Sequence, residues 1–96
     1  MEIVYLRSAQ IDYRWVHDYY TNIFPAGKSH AKVHFETAEK ILIENPAIGR
    51  PISQSGIREL VIPRTPFSLI YRIKPDQIEV LRIWDGRADR SALDIQ

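Results

Sequence analysis

The spacing of apolar residues over the first third of the chain predicts a short strand followed by a helix. Ile3 to Leu6 is a run of branched and aromatic residues without a breaker, which is typical of a strand. From Ala9 to Phe24 apolar residues recur every fourth position, which predicts an amphipathic helix that Ser8 could cap and Pro25 ends. Its apolar face consists of Ile11, Trp15, Tyr19 and Ile23, with Val16 and Tyr20 beside it.

A second helix is predicted from Ser29 to Glu44. Asn45-Pro46 ends it, because a residue that precedes proline is disfavoured in the helical region. Two helices joined by a short loop form an antiparallel hairpin. The face predicted to be buried consists of Ala31, Phe35, Ala38 and Leu42.

The period changes to two after a loop at 47–56 that is rich in Pro, Gly and Ser. Three strands are predicted at Ile57–Ile62, Phe67–Lys74 and Gln77–Trp84, and the short linkers between them favour an antiparallel meander. In the middle strand one face is apolar, while the other is mixed and could line a groove. The order β-α-α-β-β-β predicts an α+β fold: a two-helix hairpin on one face of a small, mostly antiparallel twisted sheet, as a single domain over residues 1–96.

The composition indicates the cellular compartment but does not identify a binding partner. The net charge is +1, which is small for a nucleic-acid-binding protein, so no sequence-specific DNA binding is expected. The absence of cysteine excludes disulfide and thiolate chemistry. The N-terminus lacks the pattern of a signal peptide, and no apolar stretch approaches the roughly 20 residues that span a bilayer. We expect a cytoplasmic protein without membrane association.

Candidate chemistry is sparse. His30 and His34 share a helix face but no third ligand is evident, so neither a metal nor another cofactor is expected. Glu59 and Asp85 could serve as acid or base by their chemistry alone. The cations after Ile57 are arginines apart from Lys74; they suit carboxylate or phosphate, or they pair with neighbouring acidic side chains. They are Arg58, Arg64, Arg72, Arg82, Arg87 and Arg90.

Four strings in this order resemble the RelE/ParE toxin family. Asn45 to Pro51 resembles the loop after the second helix of these toxins, and Ile57 to Leu60 their second strand. Pro66 to Ile73 is similar to the third strand, and Ile78 to Asp89 to the fourth strand with its trailing turn. The resemblance covers essentially the whole chain.

This family has two main activities. RelE-like members cut messenger RNA on the ribosome with second-strand lysines, a third-strand arginine, and a late arginine and tyrosine. ParE-like members share the fold, lack that set and are linked to inhibition of DNA gyrase. The residues at the four kinds of nuclease position are, in that order, Glu59 and Val61, Ser68, Ala88 and Asp94. The resemblance therefore favours a ParE-like toxin that acts by binding rather than as an enzyme.

The resemblance also implies a cognate antitoxin, ParD-like or similar, whose C-terminal segment folds onto the toxin and lays a helix or strand on the hairpin and the sheet. Arg87 and Arg90, beyond the last strand, are predicted to contact the target, DNA gyrase. For Trp15 and Tyr19, core packing is the alternative to an exposed contact. The predicted antitoxin contacts are the aromatic residues Trp15, Tyr19 and Tyr20 and the sheet-face residues Arg58, Arg72, Arg82 and Trp84.

Three hypotheses follow from the resemblance. The chain is a gyrase-directed toxin, or a ribosome-dependent ribonuclease that uses a divergent set of residues, or an inactive relic that still binds an antitoxin. Gyrase supercoiling, messenger RNA cleavage and growth of expressing cells separate the three.

Overall fold

The structure is a computed structural model that describes residues 1–88 and residue 93. The α+β order is confirmed, and Arg50–Pro51, which we predicted to be loop, forms an additional short strand. Turns of 3-10 helix at Pro25–Gly27 and Pro46–Ile48 flank the second helix. The main elements are β1 (Glu2–Tyr5), α1 (Arg7–Asp18), a π-helical turn (Tyr19–Ile23), α2 (Lys28–Glu44), β2 (Arg50–Pro51), β3 (Ile57–Val61), β4 (Phe67–Ile73) and β5 (Gln77–Asp85).

The five strands form one mixed sheet in the order β1-β5-β4-β3-β2. Only the β1–β5 pair is parallel, since the other three pairs are antiparallel. Tyr71 lies opposite Val80 and Ile70 lies opposite Arg82, so Leu81 is an extra residue on β5. A bulge of this kind bends its strand and increases the local twist.

The start of α1 is fixed by the sheet rather than by a side-chain cap. The Leu6 N–H donates to the Val80 carbonyl at 2.9 Å, and the Leu6 carbonyl accepts from the Gln10 N–H at 2.9 Å. Leu6 occupies the N-cap position without a side-chain hydrogen bond, and α1 begins at Arg7. The predicted cap at Ser8 is therefore wrong, because pairing with β5 sets the end of β1 and leads directly into the helix.

The face of α1 that we predicted to be its apolar core face lies largely in solvent. Ile11 is 62% exposed, Trp15 is 51% exposed and Ile23 is 70% exposed. The buried face is instead Ala9 with Val16, continued by Tyr20 in the π-helical turn. Ala9 has no side chain beyond Cβ, so α1 can approach the sheet closely along this narrower stripe.

The main core lies between the hairpin and one face of the sheet. The buried face of α2 is the predicted one, Ala31, Phe35, Ala38 and Leu42. Burial of each large apolar side chain in such a core contributes about 1.5–3 kcal/mol to stability. The sheet residues in this core include Phe67, Leu69, Tyr71, Ile78, Val80 and Ile83.

A second, smaller core covers part of the opposite sheet face. Ile57, Ile70 and Trp84 are buried there, and Leu93 packs against them. The face opposite the helices was predicted to be mixed and able to line a groove, but over these three residues it is packed. Within the described part of the chain, no helix has both the length and the apolar character needed to cross a membrane.

Candidate functional site

A groove of about 500 Å³ runs between α1 and α2. Much of its lining is apolar because buried side chains of the main core reach the groove. The floor residues are Val16, Tyr20, Pro25, Ala31 and Phe35, and the polar rim includes Tyr13, His17, Lys28, Lys32, Glu36 and Glu39. Grooves of this size and character accept apolar anchor groups from a ligand or partner.

The rim of the groove along α2 changes sign from one end to the other. Lys28 and Lys32 lie at the start of α2, and Lys28 Nζ donates to Thr21 Oγ1 at 3.1 Å. Glu39 lies near the other end, where the Tyr5 hydroxyl donates to its Oε2 at 2.8 Å. Burial, reinforced by the neighbouring Glu39 charge, raises the pKa of Tyr5 above its usual range, so the phenol stays a donor. We refer to this surface as the hairpin groove.

An aromatic ledge lies on the other flank of α1 and consists of Trp15 and Tyr19. The two rings stack, with centroids 5.8 Å apart and 16° between their planes. Each also meets Phe67 edge-on, at 5.9 Å for Trp15 and 5.8 Å for Tyr19. Each of the two alternatives for these residues is partly correct. The inner edges of the rings pack on the core, while the outer face stays in solvent, since Trp15 is half exposed.

Arg87 lies against the Tyr19 side of the aromatic ledge. Its guanidinium carbon lies 5.3 Å from the centre of the Tyr19 ring, a cation–π distance. Its Nε and Nη2 donate to the two Asp85 carboxylate oxygens at 2.9 and 2.8 Å. This hydrogen bonding holds the pKa of Asp85 below its usual range. Arg87 is thus exposed but held in place, whereas Arg90, the other predicted target contact, lies outside the described residues.

A shallow pocket of about 280 Å³ adjoins the ledge where α1 meets the end of β5. Its lining includes Trp15, Phe67, Ile83, Trp84 and Ala88, so it is mainly apolar. Trp84 itself is only 6% exposed, and its indole Nε1 finds no acceptor among the described residues. Trp84 lies on the predicted sheet face, but its buried ring leaves little surface for a partner.

Asp12 ties α1 to β5 beside this pocket. β1 ends at Tyr5, so among the described residues no strand pairs with the edge of β5 beyond Val80. The Asp12 carboxylate takes that place: it accepts from the Ile83 N–H at 3.0 Å and from Arg82 Nε at 2.7 Å and Nη2 at 3.1 Å. The hydrogen bond to Asp12 raises the pKa of Arg82. Arg82, a predicted antitoxin contact, is therefore engaged within the molecule.

Arg58 and Arg72 also donate hydrogen bonds to acceptors within the molecule. Arg58 Nη1 donates to the carbonyls of Ala47 and Gly49 at 3.1 and 2.7 Å. Arg58 lies opposite Tyr71 in the sheet, so both side chains point to the helix-covered side rather than to the opposite face. Arg72 donates through Nε to Glu79 at 2.7 Å and lowers the pKa of that carboxyl.

Tyr20 does not offer an exposed aromatic contact. It is 5% exposed and packs edge-on against Tyr19, with centroids 4.9 Å apart. Burial raises the pKa of its hydroxyl. The prediction placed Tyr20 beside the exposed stripe, but it turns inward and contributes only to the floor of the hairpin groove.

Several site residues were missed by the sequence analysis. Asp12 is one of two acidic residues on the amphipathic helix α1, and nothing local indicates that it bonds to a distant strand edge. Lys28, Lys32 and Glu36 follow an i, i+4 spacing that does indicate one shared helix face. No group of three potential metal ligands gathers among residues 1–88 and 93.

Comparisons with known proteins agree on one family. The model of the family described as "ParE toxin of type II toxin-antitoxin system, parDE" matches residues 3–90. A solved structure described as "Chromosomal ParDE TA system from P. aeruginosa" is 32% identical, with a TM-score of 0.68. The match covers 86% of this chain and 92% of that one. A search of curated proteins gave no significant match.

Proposed function

Because this chain belongs to the ParE toxin family of type II toxin–antitoxin systems, we propose that it acts in the cytoplasm by binding DNA gyrase and that a cognate antitoxin neutralises it. The observation that carries this proposal is the pair of surfaces on α1: the hairpin groove on one flank and the aromatic ledge with Arg87 on the other. The ledge leaves Trp15 half exposed, and the lining of the groove is largely apolar.

The ledge has the composition of a protein-binding surface. Trp15 is half exposed, although core packing was the alternative for this residue. Ile11 lies one turn earlier on the same helix and extends the exposed apolar surface. Tryptophan, tyrosine and arginine are the side chains that contribute most to protein–protein affinity. The ledge presents one of each, Trp15, Tyr19 and Arg87, within stacking distance.

The arginines support binding rather than reaction chemistry. Cleavage of RNA requires cations that face the scissile phosphate together with an acid and a base. Here Arg72, Arg82 and Arg87 each pair with a carboxylate at 2.7–2.8 Å. Glu59, one of the two acid–base candidates, has a side chain that is 1% exposed and pairs with Arg50.

The geometry also suggests how an antitoxin would block the target. Of the proposed antitoxin contacts, Trp15 stacks on Tyr19, and the Tyr19 ring in turn lies against the proposed target contact Arg87. A segment that covers the ledge would therefore also cover Arg87. Neutralisation then follows from exclusion of gyrase, without a conformational change.

Supercoiling of relaxed plasmid by purified gyrase tests the proposal. We expect wild-type protein to inhibit the reaction, and the purified antitoxin to restore it. Arg87→Gln, which removes the cation from the ledge, should raise the concentration for half inhibition by about tenfold or more, the usual loss at an interface hot spot. Arg64→Gln, an exposed arginine in the β3–β4 turn, is the matched control and should inhibit like wild type.

Two outcomes would contradict this function. Gyrase unaffected by a large molar excess of the wild-type protein would remove gyrase as the target. Codon-specific cuts in messenger RNA, with gyrase unaffected, would favour the ribonuclease hypothesis instead.

A further inference from the structure

Asp85 holds Arg87 through three hydrogen bonds. Arg87 Nε and Nη2 donate to Oδ1 and Oδ2 of Asp85 at 2.9 and 2.8 Å, and the Arg87 backbone N–H also donates to Oδ1, at 2.9 Å. Between the two residues, the Gly86 N–H donates to the Pro66 carbonyl at 2.7 Å, which ties this turn to the residue before β4. A single carboxylate therefore orients both the backbone and the side chain of Arg87.

This arrangement leaves one edge of the guanidinium directed away from Asp85. A guanidinium is planar and carries five N–H groups in a fixed fork. The edge formed by Nε and Nη2 faces Asp85, and the guanidinium carbon lies 5.3 Å from the centre of the Tyr19 ring. The second edge, formed by Nη1 and the outer hydrogen of Nη2, therefore points away from that carboxylate. The Arg87 side chain is 56% exposed, which leaves room for a partner at this open edge.

The charges around the aromatic ledge favour a protein partner over a nucleic acid. Arg82 pairs with Asp12 at 2.7 Å and Arg87 pairs with Asp85 at 2.8 Å, so these four side chains between α1 and β5 carry no net charge. Binding to a nucleic-acid backbone needs an excess of cations. A single carboxylate needs only the open edge of one arginine, with which it forms two parallel hydrogen bonds. The other charged residues at exposed positions of α1 add one positive charge and are Arg7, Arg14 and Asp18.

We propose that Asp85 is a positioning residue for target binding and that the open edge of Arg87 binds an acidic side chain of gyrase. The Asp85 carboxylate orders the arginine before the encounter, and the Tyr19 ring supports the guanidinium from its face. A side chain that must instead be immobilised on binding weakens an interface roughly two- to tenfold. The inference rests on the proposed gyrase target and adds the chemistry of the group that Arg87 binds.

A double-mutant cycle in the gyrase supercoiling assay tests the positioning role. Asp85→Asn keeps the shape of the side chain but replaces the acceptor for Nη2 with a donor. We expect it to raise the concentration for half inhibition roughly two- to tenfold. In the background of Arg87→Gln the same substitution should have no further effect, because the arginine that Asp85 orients is absent. Loss of a negative charge alone would strengthen binding to an acidic partner, so the two effects of Asp85→Asn differ in sign.

Glu79→Gln is the matched control for this cycle. Glu79 pairs with Arg72 at 2.7 Å on the same strand, but at the end of β5 that pairs with β1, away from the ledge. The substitution also takes a carboxylate from an arginine, yet the concentration for half inhibition should stay at the wild-type value. Circular dichroism checks that every variant is folded at the assay temperature.

Ionic strength tests whether the partner group is acidic. Salt screens an exposed ion pair, with a Debye length of about 10 Å at 0.1 M and about 3 Å at 1 M. The affinity of wild type for immobilised gyrase should therefore fall toward that of Arg87→Gln as salt rises from about 0.05 to about 0.5 M. Arg87→Lys keeps the charge but lacks the fork, so it should lose most of the affinity that Arg87→Gln loses.

Each other outcome overturns the inference. Inhibition by Asp85→Asn that equals or exceeds that of wild type, or an additive loss in the double variant, would show that Asp85 does not act through Arg87. Wild-type affinity of Arg87→Lys or Arg87→Gln would remove the fork from the interface. A difference between wild type and Arg87→Gln that stays constant in salt would show a partner group without charge. Wild-type protein that leaves gyrase unaffected would remove the proposed function itself and the inference with it.

Discussion

At the scale of single residues, the arginines show how little a sequence says about which side chain each of them pairs with. For the arginines after Ile57, pairing with neighbouring acidic side chains was one of two alternatives. Arg72 pairs with Glu79 and Arg87 with Asp85 in this way. Those partners are close in sequence or opposite in a hairpin. Arg82 instead pairs with Asp12, 70 positions away, and such a partner depends on how α1 packs on the sheet. Local pattern therefore cannot identify it.

The Asp85–Arg87 pair predicts a dependence of stability on pH. Hydrogen bonds from Arg87 lower the pKa of Asp85 in the folded protein, so the pair stabilises the fold above the unfolded pKa of about 3.9 and is lost as pH falls through the lower folded value. We expect Asp85→Asn to cost at most about 1 kcal/mol at pH 7, because Arg87 is exposed.

Urea denaturation of wild type and Asp85→Asn from pH 7 to pH 2 measures this difference. The gap in unfolding free energy should close as the pH falls below about 4. A gap that is constant down to pH 2 would show that the Asp85 charge contributes nothing to the fold.

At the scale of elements, the positions of helices and strands were predictable because they follow local periods. The buried face of α2 was predictable for the same reason, since it has a single apolar stripe. α1 carries two candidate stripes, and the larger one, with Ile11 and Trp15, lies in solvent. The choice of Ala9 and Val16 as the packed stripe depends on the close approach to the sheet. This tertiary constraint is absent from the sequence pattern.

The docking of α1 on β5 gives an element-scale prediction. Asp12→Ala removes the acceptor for both the Arg82 guanidinium and the Ile83 N–H, and leaves them half-buried without a partner. We expect a loss of about 2–4 kcal/mol in the free energy of unfolding. Asp18→Ala is the matched control on the same helix, because Asp18 is exposed and its ion pair within the described part of the chain is the 3.7 Å contact with His17. Its effect should stay within about 0.5 kcal/mol.

Chemical denaturation of the two variants measures the difference. If Asp12→Ala and Asp18→Ala unfold at the same denaturant concentration, Asp12 does not hold α1 on the sheet edge. Partial loss of the ledge geometry should accompany the destabilisation, since Trp15 lies one turn after Asp12, and tryptophan fluorescence would report it.

At the scale of the whole molecule, α1 separates the two proposed binding surfaces and belongs to both. The hairpin groove lies toward α2, and the ledge lies toward the end of β5. Family membership was predictable from the order of strings along the chain. The separation into two surfaces was not predictable, because it depends on which side of α1 stays open after the helix packs on the sheet. The predicted antitoxin contacts on the sheet are largely internal, which shifts the proposed docking surface to the hairpin.

We propose that the antitoxin binds the toxin through its helical hairpin rather than through the sheet face opposite it. Amide hydrogen exchange of this chain, alone and in complex with its full-length antitoxin, tests it most directly. We expect slower exchange in α1 and α2, strongest over residues 13–20 and 28–39, with little change in β3. Protection confined to β3 and β4, with both helices exchanging as in the free protein, would contradict it.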